Sequence, residues 1–169
     1  MPRSHRPRKR YVPKRIELDP VEATIARAAV MPRHAAAPFI AAMQTALDGL
    51  RRGCGGMKAW ADLADALNVA ESLADLRIAN DHRATILAGQ RALAELHARH
   101  GATASWTLRA DELRALAAAE EIAEIQLGVC TQGEFVDAVS TTTRRVAGAL
   151  AGNASPSAIV CVAGGIGAA

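Results

Sequence analysis

The residues best able to do chemistry stand at the leading end of the chain. The first fifteen, MPRSHRPRKRYVPKR, carry Arg3, Arg6, Arg8, Lys9, Arg10, Lys14 and Arg15 and no acid. Lysine and arginine at this density neutralise phosphates and release the counterions condensed on a nucleic acid, which gives affinity without sequence preference. Arginine adds a bidentate grip and stacking, and Tyr11, inside the run, can stack on an exposed base. Arms of this type lie in a minor groove or follow an RNA backbone. The remaining 154 residues hold 13 basic and 17 acidic side chains, so the formal net charge of +3 conceals an arm near +7 and a body near −4. The arm attracts a polyanion and the body does not. An acidic protein surface would attract the same arm, and a solubilising tail would have the same composition.

Other constellations are weaker. His97 and His100 lie three apart near a helix end, with His82 upstream and Cys130 as a third ligand in principle. Zinc uses such groups, but no Cys-x-x-Cys or His-Glu-x-x-His frames them, and the helix dipole alone favours histidine there. No metal is expected. Glu120, Glu121 and Glu124 between alanines read as a solvated face, or as an acidic patch that docks the arm of the same or another copy. Paired carboxylates do acid–base work only where burial or crowding separates their pKa values. Ser140, Thr141, Thr142 and Thr143 are hydroxyl nucleophiles without a nearby base, and back-bonding to helix carbonyls is the simpler reading. Gly164-Gly165-Ile166-Gly167 lacks the Lys-Ser/Thr and the helix of a phosphate loop. No catalytic residue and no cofactor is expected, so the chain reads as a non-enzyme.

The segment WADLADALNVAESLADLRIAN resembles the first half of a helix-turn-helix at Leu63, Ala64, Leu67, Asn68 and Val69. The second half departs from it. Ala70, Glu71, Ser72 and Asp75 would put two carboxylates against phosphate-lined groove walls and no arginine against guanine. Ala74 and Arg77 are poor apolar anchors. One amphipathic helix with Glu71 and Asp75 on its solvated face is the better reading.

The elements that must carry these groups are helical. Asp19-Pro20 reads as a cap and first position of a short helix with Val21 and Ile25 on one side, stopped by Pro32. A second runs from about Ala37 to Arg52, with Phe39, Ile40, Met43, Leu47 and Leu50 at the spacing of a buried face and Gly53 after its end. A third begins near Met57 and carries Trp60, Leu63, Leu67, Leu73 and Leu76, as one rod or with a turn near Asn68. A fourth is capped by Asn80 or Asp81 and ends at Gly101; Trp106 sits in the polar loop that follows. A fifth spans about Ala110 to Val129. Thr131 and Glu134 form a capping box for a sixth, with Phe135, Val139, Val146 and Leu150, closed by Gly152.

The expected fold is all-α: an irregular or orthogonal bundle of five to six short helices over 19–152, between a basic flexible arm (1–18) and an apolar, glycine-rich tail (153–169). Half the residues are apolar, but only five are aromatic and much of the rest is alanine. Alanine buries little area, so self-association completing the core is expected. Three scattered cysteines form no disulfide framework and suit a reducing, cytoplasmic compartment. The basic start has no apolar run after it, unlike a secretory signal, and no apolar run is long enough to span a membrane.

The basic Pro/Arg arm, ALNVAESL, SWTLRADEL and EIQLGVCTQGEF together resemble a set of small uncharacterised proteins carried by bacteriophages and prophages, over most of residues 1–155. The resemblance implies a bacterial host and an accessory role, and brings no activity, cofactor or site residue. The expectation that results is a non-enzymatic nucleic-acid-associated accessory protein. The alternative is a protein-interaction module, a regulator or inhibitor that docks on a host protein.

Overall fold

A computed structural model describes residues 19–151. Within them lie α1 (Pro20–Ala28), α2 (Arg33–Arg51), α3 (Gly56–Asp75), α4 (Arg83–Thr103), α5 (Ala110–Val129) and α6 (Gln132–Leu150), with a 3-10 turn at Asn80–His82. The chain is all-α. The described residues contain no strand, only an isolated bridge between Val30 and Thr131.

Local chemistry explains several ends. Asp19 Oδ1 accepts from the Val21 N–H at 2.8 Å, ahead of Pro20. Gly53, at φ +71°, supplies the left-handed residue after α2. The Thr131–Glu134 box closes in both directions: Glu134 N–H donates to Thr131 Oγ1 at 3.2 Å, and Thr131 N–H to Glu134 Oε2 at 2.7 Å. Other expectations need correction. α2 begins at Arg33, so Pro38 lies inside it. Neither Asn80 nor Asp81 caps α4; His82 precedes it without a side-chain cap bond. α4 runs past Gly101 to Thr103, and Ala104 takes the left-handed conformation.

α3 is the hub and packs against α2, α4, α5 and α6. Trp60, Leu63, Leu67 and Leu73 from α3 meet Leu50, Leu93 and Leu116 in the core. Small residues set the helix spacing. A methyl added at Gly89 of α4 would stand 2.6 Å from the Ala119 Cβ of α5 and 3.1 Å from Leu67 Cδ1. Gly89→Ala is therefore expected to destabilise, because overpacking costs about 1–3 kcal/mol while better helix propensity returns at most about 1. Gly101→Ala, also in α4 but with nothing within 4 Å of the new methyl, should stabilise by roughly 0.5–1 kcal/mol. Urea midpoints of the two variants check the pair.

Several apolar residues are not where their spacing placed them. Val21 and Ile25 are both exposed, and α1 buries no side chain. Leu76, just past α3, is exposed, as is Phe39. α1 instead holds to α6 through the Arg27–Asp137 ion pair and a close approach of Gly133 to the Arg27 backbone.

Candidate functional site

Arg3, Arg6, Arg8, Lys9, Arg10, Tyr11, Lys14 and Arg15 lie outside the described residues, as do Cys161 and Gly164 to Gly167. The described body holds the other candidates, in three polar clusters and one apolar groove.

The first cluster lies along α3. The helix runs unbroken through Asn68, so there is no turn for a helix-turn-helix. Glu71 is buried, against the expectation of a solvated face. Its Oε1 accepts from Arg83 Nη2 at 2.6 Å and its Oε2 from Gln90 Nε2 at 3.0 Å. Gln90 Nε2 also donates to Asn68 Oδ1 at 3.0 Å. Asp75 is exposed but not idle: it lies between Arg145 Nη2 at 2.7 Å and Arg83 Nε at 3.4 Å. Thr142, one of the four hydroxyls on α6, is also buried; its Oγ1 pairs with Ser72 Oγ at 2.9 Å and donates to the Asn68 carbonyl at 3.2 Å. Thr143 does back-bond within its helix, to the Val139 carbonyl at 2.9 Å. These groups clamp α3 to α4 and α6. Their carboxylates and hydroxyls are spent on neighbours.

The second cluster joins α4 to α5. Arg99 makes a bidentate pair with Glu112, with Nη2 2.6 Å from Oε2, and donates to the Thr107 carbonyl at 2.9 Å. Glu112 Oε2 also accepts the Arg109 N–H at 2.7 Å. Burial alone would raise the Glu112 pKa, but the Arg99 hydrogen bonds, the Arg109 N–H and both positive charges outweigh it and hold it below the usual carboxylate range.

The third contains the histidines. His100 stacks on Trp106, centroids 4.0 Å apart and planes at 20°. His97 lies 4.9 Å from the Trp60 ring, and Trp60 Nε1 donates to the Leu93 carbonyl at 2.8 Å. Indoles, not metal ligands, surround these two imidazoles. His82 sits before the opposite end of α4. Among the described residues, no three His, Cys, Asp or Glu side chains come together as a metal site. Cys130 is buried, and that burial, with Glu134 nearby, pushes its thiol pKa up. This is the opposite of an activated nucleophile.

On α5, Glu121 and Glu124 are exposed, as a solvated face requires. Glu120 is half-buried, and its pKa is raised by that burial and by Glu124 and Asp48.

The groove was not legible in the sequence. A cavity of about 500 Å³ opens above α3, between α2 and α6. Val69 and Leu73 of α3 and Leu127 of α5 line its floor, and Phe39 of α2 and Val139 and Val146 of α6 its walls. Phe39 and Phe135 meet edge to face, centroids 4.8 Å apart. Lys58 and Asp62, paired with each other at 2.6 Å, stand on the rim. The lining is mainly apolar; Lys58, Asp62, Asp65, Thr142 and Thr143 are its polar members. The periodicity of α2 and α6 marked Phe39, Val139 and Val146 as apolar-face residues; only tertiary packing shows that this face stays partly uncovered.

No family model, curated protein or solved structure matches the chain. No described helix is long and apolar enough to cross a membrane.

Proposed function

We propose that this chain is a non-enzymatic nucleic-acid-associated accessory protein, in which Arg3, Arg6, Arg8, Lys9, Arg10, Lys14 and Arg15 hold phosphates, Tyr11 stacks on a base, and the helical body is scaffold. The separation of charge carries this reading. The arm holds seven cations and no acid over fifteen residues. Of the thirteen cations in the body, five (Arg27, Lys58, Arg83, Arg99 and Arg145) are matched to a carboxylate, and the body also carries seventeen acids. Cations already neutralised release few counterions on meeting a polyanion, whereas those of the arm release many. The resemblance to phage-borne proteins adds an accessory role in a bacterial host to the same proposal.

Fluorescence anisotropy with mixed-sequence DNA and RNA, at two ionic strengths, tests it. Contact with five phosphates on duplex DNA would give a log–log salt slope of roughly −4.5. Deleting residues 2–15 should abolish both the binding and the slope. A full-length chain that ignores oligonucleotides at very low salt ends the proposal. A truncated body that still captures a protein partner would favour the interaction-module alternative.

A further inference from the structure

We propose that the apolar groove between α2 and α6 is filled, within the same molecule, by the segment Ala158–Val162. Three observations point to this occupant. The groove is lined mainly by apolar side chains from four helices, so it takes an uncharged guest. The eighteen residues after Ala151 contain no charged side chain, and Ala158–Val162 makes up all but the last residue, Ala163, of their longest unbroken apolar run. The other end of the chain is less suited, because its seven cations would have to be desolvated against a mainly apolar lining, where the Asp62 carboxylate is already paired with Lys58.

Connectivity is the third. α6 forms one wall of the groove from Phe135 to Val146, a stretch of about 16 Å. The helix ends four residues past Val146, at Leu150. Gly152 and Pro156 then allow the chain to reverse. The six residues 152–157 can span up to roughly 20 Å. The segment can therefore return along the wall it has just left. Its β-branched Ile159, Val160 and Val162 are stiff side chains that lose little freedom on packing.

The chain has only two phenylalanines, and both line the groove, which makes the test clean. In full-length protein with methyl-labelled Ile and Val and protonated Phe in a deuterated background, nuclear Overhauser contacts are expected from the Ile159 and Val162 methyls to the Phe39 and Phe135 rings. Ile159→Asp, a change outside the helical body, should erase them and raise the fluorescence of an added apolar dye several-fold, with far-UV ellipticity unchanged. Absence of the contacts in the native chain overturns the proposal. So does their appearance only between differently labelled chains in a mixed sample, which would place a second copy's segment in the groove.

Discussion

Arg99→Ala should cost about 3–5 kcal/mol of folding stability, the usual penalty for removing one partner of a buried ion pair. The size follows from the geometry. The Glu112 side chain is 2% exposed and that of Arg99 18%, so the carboxylate left behind is poorly solvated. One residue supplies two bonds to the carboxylate and a third to the Thr107 carbonyl. Without it, Glu112 keeps only the Arg109 N–H at 2.7 Å. Small domains hold about 5–15 kcal/mol in all, so the loss is a large fraction. Arg99→Lys should restore only part, because an ammonium cannot make the bidentate pair.

Acidity gives this prediction a signature. In the native protein the Glu112 pKa lies below its ordinary value. The pair's contribution is therefore complete above the unfolded pKa, about 4.3, and is lost as pH falls through the lower folded value. Without Arg99, burial dominates and the folded pKa moves above the unfolded one, so the variant loses stability as pH rises through that window. The gap between native and variant should be widest near pH 7 and narrow on acidification to about pH 3–4. Urea unfolding at both pH values measures it. A constant gap would mean that lost packing, not charge, sets the cost.

Trp60→Ala should cost a similar amount, about 3–5 kcal/mol. Trp60 is 2% exposed and anchors α3 on α4 through its bond to the Leu93 carbonyl. It also lies beside His97 and 6.4 Å from Trp106. Trp60→Phe separates the two contributions. It keeps much of the apolar volume and removes only the indole donor; the Leu93 carbonyl lies within α4 and retains its helical bond, so the hydrogen-bond share is about 0.5–1.5 kcal/mol. Trp106 is then the one remaining tryptophan, so its emission reports whether the neighbouring ring environment survives while denaturant midpoints give the energy.

Helices and turns were readable because their causes are local. Asp19 before Pro20, Gly53 after α2 and the Thr131–Glu134 box act within one turn, where sequence order and spatial order coincide. The fate of Glu71 depends on something else. Along α3, charged residues mark the side expected to meet water, yet α4 covers that side and supplies Arg83 and Gln90 to receive the carboxylate. No local rule pairs residues twelve and nineteen positions apart. Val21 and Ile25 fail in the opposite sense: they are apolar and helically spaced, but α1 sits at the edge and, among the described residues, no helix covers them. Pattern shows which side chains avoid water, and the number of neighbouring helices decides whether they succeed. The candidate arm was legible as composition and charge alone, and the groove, a gap left between helices, was not.

The light mooring of α1 bears on the role proposed for the basic segment that precedes it in sequence. Beyond one surface ion pair, the stretch between α1 and α2 is tied to the start of α6 by two backbone hydrogen bonds, Met31 N–H to the Cys130 carbonyl and Gln132 N–H to the Ala29 carbonyl, each 2.9 Å. A solvated ion pair holds only about 0.2–1 kcal/mol and α1 itself buries no side chain, so α1 is expected to open at a lower free energy than the core helices. Once peeled away, nine helical residues become tether, lengthening the leash by up to roughly 30 Å. On the proposed function, such opening would widen the radius over which the cationic segment can capture phosphates, as in fly-casting, and reeling α1 back onto α6 would draw the catch toward the bundle.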